Sequence, residues 1–446
     1  MIRRLARTVL AAGLLVSWSP EAVAREWFVA PGATGTGTRA APFGSVQAAI
    51  VAARPGDTIL LGAGTYHEFI RTIRNGLPGA PITVRAEHAP RSAVITAPGT
   101  VLQVDHSFFV AENLVFDAAY ARRTAVSVSD LVTSLVLRGV EVRRSSRDCV
   151  DIGAAVDVLI DDSLIHHCLN AANGRTDAHG VVAGAVRGLT IRGTEIHSFS
   201  GDAVQLNRTG TGVAAGWNDV LIEGCRLWLA PLAEAANGFP EGAVTGENAL
   251  DTKVAATSPR ATITIRDTQA WGFGGGMIRV QAAFNLKEHI DAIVDGVTVW
   301  NSNIAFRLRG SSPGQEGARV RIQNTVIHDV AVGIRYEDDI RELRVWNTTF
   351  GSGVARAFAD VSSAPVRPDV RNAAVLGREL PSEAAHDSNL AVAAQAFVDA
   401  IAGDYRPAAA SPLVDAGMMI GEVELDRARM IRPQGRTHDV GAYERR

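Results

Sequence analysis

Residues 135–142 read LVLRGVEV, and the pattern returns as VLIDDSLI at 158–165, LTIRGTEI at 189–196 and VLIEGCRL at 220–227. It continues as ITIRDTQA at 263–270, IVDGVTV at 293–299, VRIQNTVI at 320–327 and LRVWNTTF at 343–350. Within each copy apolar residues alternate with polar ones, which is the period of a strand with one buried face. A Gly, Asp or Asn sits near the middle and bends the chain. These markers are Gly139, Asp162, Gly193, Gly224, Asp267, Gly296, Asn324 and Asn347. All the intervals but one lie between 23 and 31 residues, and the exception, 43, marks an insertion. Units of this length, with three short strands each, cannot bury their apolar faces alone and must stack. The expected fold is all-β: a right-handed parallel β-helix, a three-sheet solenoid whose coils lie about 4.8 Å apart. A sandwich would need hairpin turns such as Asn-Gly between strands, and these are largely missing.

The repeat series is continuous, with no Pro/Ser-rich linker, so residues 25–375 are expected to form one β-helix with an N-terminal cap. Residues 376–446 are expected to be a C-terminal tail packed on it. The stretch SVQAAIVAA at 45–53 is a short amphipathic helix placed to cover the open first coil. Ahead of it, Arg3, Arg4 and Arg7 precede a short apolar run at 9–18, followed by Ala22, Val23 and Ala24. That is the layout of a cleaved export signal over residues 1–24, and the chain is expected to be secreted or periplasmic. No later run is long and apolar enough to span a membrane.

The formal charge is −3, so a polybasic nucleic-acid binder is excluded. Hydrophobic residues make up 47% of the chain, which excludes a disordered one. Cys149, Cys168 and Cys225 form neither a CxxC motif nor a disulfide framework, and no disulfide is expected of them.

Several segments resemble the pectate-lyase-like superfamily. The N-terminal cap is carried by WFVA at 27–30, PFGSVQAA at 42–49, PGDTILL at 55–61 and GTY at 64–66. The tail is carried by SPLVDAG at 411–417 and DVGAYE at 439–444. The resemblance covers nearly the whole chain after the export signal. It implies the fold, which hosts lyases, hydrolases, epimerases and non-catalytic adhesins.

Aligning one strand per coil puts Asp151, Val182, Gln205, Asp251, Arg279, Arg307 and Arg335 in one outward column. Two residues on, the parallel column reads Gly153, Gly184, Asn207, Lys253, Gln281, Arg309 and Glu337. A slip of one residue would bury these charges. Lys253, Arg279, Arg307, Arg309 and Arg335 then form a cationic strip, and like charges on neighbouring strands repel unless an anion lies between them. The expected partner is an extended anionic polysaccharide bound by a monomer. Gln205, Asn207, Gln281, Arg307, Arg309, Arg335 and His179 are its candidate contacts. Asp202, Glu247 and Asp251, with Asn248 beside them, carry donors of the Ca²⁺ type, and turn capping is their alternative role.

The segment ENALDTK at 247–253 resembles the acid-then-lysine strand of calcium-dependent polysaccharide lyases. Lys253 followed by Arg279 is similar to the pair of the alginate lyase and chondroitinase B family. That family's metal residues are two Glu upstream of the Lys, of which only Glu247 has a counterpart. The resemblance implies a uronate polymer cleaved by β-elimination, with Ca²⁺ on the carboxylate, Lys253 as base and Arg279 beside it. Removing the proton α to a carboxylate builds enolate-like charge that a metal or Arg must neutralise. Two other readings compete. One is a hydrolase using two of Asp151, Asp202 and Asp251, or a C5-epimerase, whose motif residues 177–180 (DAHG) match in part. The other is a non-catalytic carbohydrate-binding surface.

Overall fold

The computed structural model describes residues 24–171, 177–207, 216–255, 258–310, 316–363, 366–377, 379–385 and 388–446. The expected export signal therefore lies, except for Ala24, outside the described residues.

Three long parallel sheets wrap the chain into a stack of coils. Sheet 1 has 13 strands, from Glu26–Val29 to Asp369–Arg371. Sheet 2 also has 13, from Gly64–His67 to Leu390–Val392, and sheet 3 has 11, from Ile70–Arg71 to Val354–Asp360. This is a right-handed parallel β-helix, and one antiparallel hairpin, Phe397–Asp399 with Asp404–Pro407, follows it.

The apolar alternation explains the stacking. Ile160, Ile191, Ile222, Ile265, Val294, Ile322 and Val345 lie in register on successive coils of sheet 1, all fully buried. Each such side chain contributes roughly 1.5–3 kcal/mol by leaving water. The outward side of the same sheet is an alternating charge ladder, Glu112, Arg138, Asp161, Arg192, Glu223, Arg266. Arg138 bonds Glu112 at 2.9 Å and Asp161 at 3.1 Å, and Arg192 bonds Asp161 at 2.9 Å. Opposite signs face each other across the strands, so this face is neutralised from within.

The turn markers act as read. All eight adopt the left-handed backbone between sheets 1 and 2, with φ from +45° at Asn347 to +70° at Gly296. Gly takes this conformation freely, and Asn and Asp tolerate it best among the other residues. Asn372, at φ +54°, makes the same corner one coil beyond Asn347; Asn324, Asn347 and Asn372 also bind the tail, donating their amides to the carbonyls of Leu425, Asp439 and Met418. Asn324→Ala is expected to cost about 2–3 kcal/mol, from backbone strain and lost hydrogen bonds. Urea unfolding against the wild type checks this, and an unchanged midpoint would refute it.

The helix Val46–Ala52 closes the first coil. Ser45 caps it, its hydroxyl accepting from the Ala48 N–H at 3.2 Å. Glu68 accepts from the N–H groups of Val46 and Gln47 at 2.7 and 3.1 Å. Val46, Ala49 and Ile50 pack into the core. One expectation fails. Cys149 and Cys168 are disulfide-bonded, joining neighbouring coils at the corner between sheets 2 and 3. Sequence spacing could not reveal this, because the coil rather than the chain brings the two together.

Candidate active site

Sheet 3 presents the polar face. Val150, Val181, Val204, Leu250, Phe284, Phe306 and Ile334 are in register and point inward. The outward column is therefore Asp151, Val182, Gln205, Asp251, Asn285, Arg307 and Arg335. The expected register holds in every one of these coils except that of Arg279. The strand there is Ala282–Lys287, so Asn285 takes the place expected for Arg279, and Lys287 that expected for Gln281. Arg279 is instead exposed in the preceding connection. Gln281 is fully buried, its amide oxygen accepting from Gly276 N–H at 2.9 Å and its amide nitrogen donating to Gly246 O at 3.4 Å. It pins a loop rather than facing a ligand. The physical reason is parity: a shift of six residues keeps every side chain on its expected face, so alternation could not choose between the two strands.

Asp251 is the hub of this face. Its carboxylate lies 2.8 Å from Lys287 Nζ and 3.4 Å from Lys253 Nζ, and it accepts from Asn285 Nδ2 at 2.8 Å. Burial, with the neighbouring Asp202 charge, pushes the Asp251 carboxyl above its ordinary range, while Lys287 and Lys253 oppose the shift. Lys253 retains 30% side-chain exposure and Lys287 only 12%, so Lys253 is the more accessible ammonium.

Behind Asp251 lies a buried polar network. Asp202 accepts from Asn248 N–H at 3.0 Å, Asn248 Nδ2 at 2.8 Å and Gln205 Nε2 at 2.9 Å. Gln205 thus serves the scaffold. His179 Nδ1 accepts from the Asp202 N–H at 2.8 Å, which leaves the proton of the neutral ring on Nε2. Gly201 permits this approach, since a Cβ there would stand 2.4 Å from His179 Nδ1. The His179 N–H donates to Asp148 Oδ1 at 3.0 Å. Burial lowers the His179 pKa and raises those of Asp148, Asp151 and Asp202. Asp148 escaped the sequence reading because it lies on a corner, outside the alternating columns.

The expected Ca²⁺ set is not assembled. Among the described residues no three His, Cys, Asp or Glu side chains form a metal-binding group. Ca²⁺ takes 6–8 oxygen ligands, but the Asp202 oxygens are committed to amide donors and Asp251 faces two ammonium groups. Glu247 sits at the corner, its N–H donating to Gly201 O at 2.7 Å. This donor set does not fit the ion. Asn207 continues the strand of Gln205, with its N–H on Ala183 O at 2.8 Å and its side chain half-buried.

Further along, Glu337 gathers three guanidinium groups: Arg307 and Arg309 at 2.9 Å each and Arg335 at 3.3 Å. Part of the counter-charge expected from a ligand is therefore supplied by the protein. Burial would raise the Glu337 pKa, but its three arginine partners win and hold it below the ordinary range. Three cations against one anion still leave an excess of two positive charges. Arg307 stands in register with Arg335, and Lys287 with Arg309. Like faces like here, the reverse of the sheet 1 ladder.

Residues 229–246 form a wall at the edge. Leu232 and Ala236 pack with Leu169, and Asn237 Nδ2 donates to Ser146 Oγ at 3.1 Å, at the corner between sheets 2 and 3. Trp271 and Trp300 lie on sheet 2, stacked on each other at 4.7 Å, with Trp228 and His328 on their outer faces. Both ring faces are occupied, which leaves them no sugar to stack on.

A parallel β-helix with a capped first coil and a polar outward strip on one sheet is the pectate-lyase-like fold. No family model matches the sequence, and no curated protein matches it. Among solved structures, a crystal structure of pectate lyase Pel9A is similar at 17% identity, over 95% of this chain and 96% of that one, with a TM-score of 0.54. The structure of XylC in complex with xylose is similar at 10% identity, over 94% and 98%, with a TM-score of 0.51. At these identities the likeness is one of fold.

Proposed function

We propose that this protein cleaves a uronate-containing anionic polysaccharide by β-elimination, with Lys253 as the base. The observation that carries the reading is the stacking of like charges on sheet 3, Lys287 on Arg309 and Arg307 on Arg335. Cations in register on adjacent strands destabilise a sheet, and an anionic polymer lying along the stack relieves the repulsion that Asp251 and Glu337 offset only in part. Acting as the neutral amine, Lys253 removes the proton α to the uronate carboxylate. The electron pair forms the ring double bond, the bond to the 4-oxygen breaks, and the departing sugar oxygen takes a proton from water. Lys287, one coil on at about 4.8 Å, replaces Arg279 as the group that neutralises the carboxylate. Arg307, Arg309 and Arg335 hold neighbouring sugars, Asp251 orients both lysines, Asn207 faces the substrate from the preceding coil, and His179 supports the buried network behind Asp251. Pel9A carries the name pectate lyase on the same fold, which supports this reading. We also propose that the chain is exported and acts as a monomer; its Cys149–Cys168 bond suits an oxidising compartment.

The test is a panel of pectate, alginate, glycosaminoglycans and bacterial exopolysaccharides, followed by the absorbance of new unsaturated ends. Appearance of that absorbance supports the lyase; reducing ends released without it would reject the lyase and favour a hydrolase. Asp151 and Asp251, whose carboxyls burial holds above the ordinary range, are then the first candidates. On the active polymer, Arg307→Ala is expected to raise KM about tenfold with kcat little changed, as for the loss of a charged binding contact. Arg279→Ala is expected to change neither constant appreciably, and a large loss of kcat in that variant would return Arg279 to the site.

A further inference from the structure

On sheet 2, away from the lysine strip, two histidines meet. Arg143, His166 and His197 stand in register on three coils. In a regular strand consecutive side chains point to opposite faces, so His167 would be turned inward. Its backbone is instead left-handed, at φ +56°, as are Arg144 and Ser198 in the coils on either side. Ile165 and Cys168 point into the core while His166 and His167 both stay at the surface. The bulge is a feature of this part of the fold; what is particular to this coil is that it brings two imidazoles together.

Their Nδ1 atoms are 2.6 Å apart. His166 Nε2 lies 3.2 Å from Glu141 Oε1, and Glu141 also pairs with Arg143 at 2.7 Å. Glu141, paired with the Arg143 guanidinium, is the acceptor for the His166 Nε2 proton. A bare lone pair is then left on His166 Nδ1, aimed at His167. A carboxylate that fixes the far nitrogen of a histidine is the usual support of a metal-bound imidazole.

We propose that His166 and His167 chelate one borderline divalent cation, of the Zn²⁺, Ni²⁺ or Cu²⁺ class, through their facing Nδ1 atoms. The cation takes the place of the proton between them, which moves to His167 Nε2 or leaves to solvent; Glu141 holds the His166 ring, and water completes the shell, since among the described residues no third such side chain joins the pair. Zn–N bonds of about 2.0–2.1 Å in tetrahedral geometry set the nitrogens roughly 3.3 Å apart, which small rotations of the two rings reach. Nitrogen donors select this class over Ca²⁺ and Mg²⁺, which take oxygen ligands.

The neighbouring rings supply a readout independent of enzymatic activity. His197 stacks on His166 at 5.0 Å and Trp228 on His197 at 4.4 Å. An open-shell Ni²⁺ at the pair sits near Trp228 and quenches its emission, while closed-shell Zn²⁺ binds without quenching. The experiment is calorimetry with ZnCl₂ and tryptophan fluorescence with NiCl₂ on the full chain. The wild type is expected to bind one Zn²⁺ with micromolar affinity and to be quenched by Ni²⁺, with CaCl₂ inert in both. His167→Asn, which suits the left-handed backbone, is expected to weaken binding at least tenfold and to abolish the quenching. Glu141→Gln is expected to weaken binding about 10-fold or more, and exposed His67→Ala to leave it unchanged. Absence of a bound Zn²⁺ in the folded wild type, or undiminished binding in His167→Asn, would overturn the proposal.

Discussion

Replacing Lys253 with alanine is expected to lower turnover about 10²–10⁴-fold, the usual loss for a positioned general base, and to leave the fold intact. The side chain lies outward on sheet 3, so its removal opens no core cavity, and Asp251 keeps Lys287 at 2.8 Å and Asn285 at 2.8 Å as partners. Lys253→Arg separates two roles. Arginine keeps the charge but does not give up its proton, so it restores activity only if position 253 serves as a binding cation. The expected result is that Arg fails to rescue kcat. Lys287→Ala should also reduce kcat, because the carboxylate charge built during proton removal is left unneutralised. Steady-state kinetics on the polymer identified by the panel decide the matter. Near wild-type turnover in Lys253→Ala would place the base elsewhere and leave Asp151 and Asp251 as candidates.

The second large effect is on stability. Arg432 and Glu444 form an ion pair with both side chains fully buried. Arg432 also donates to Asn324 Oδ1 at 3.2 Å and to Gly441 O at 3.0 Å, fastening the tail to the turn ladder. Arg432→Ala strands the Glu444 carboxylate in the interior and is expected to cost about 3–5 kcal/mol. Replacing both partners, as Arg432→Met with Glu444→Leu, is expected to cost less than the single change, since no lone charge remains. Urea denaturation of the three proteins tests the ordering, and a single variant as stable as the double one would refute it. Because the tail lies on the coils of Asn324, Asn347 and Asn372, its loss should also raise amide exchange there.

The sequence alone determined the solenoid. Alternating apolar residues require buried strand faces, and Gly, Asp or Asn at each bend marks a left-handed corner; eight such corners were legible because a conformation that most residues avoid selects a small set of residue types. The outward placement of Asp251, Lys253, Arg307 and Arg335 was legible for the same reason, since burying unpaired charge is costly. What the tertiary structure decided is which residues become neighbours across coils. Alternation repeats every two residues and cannot tell Arg279 from Asn285, six positions on; the choice fell to packing, with Phe284 stacked on Phe306 at 5.2 Å. The same cross-coil proximity joined Cys149 to Cys168, set Glu337 among three arginines and committed Asp202 to amides instead of a metal. Coil lengths vary with each loop, so spacing along the chain does not encode these contacts; they follow from register, which is settled only when the whole stack packs.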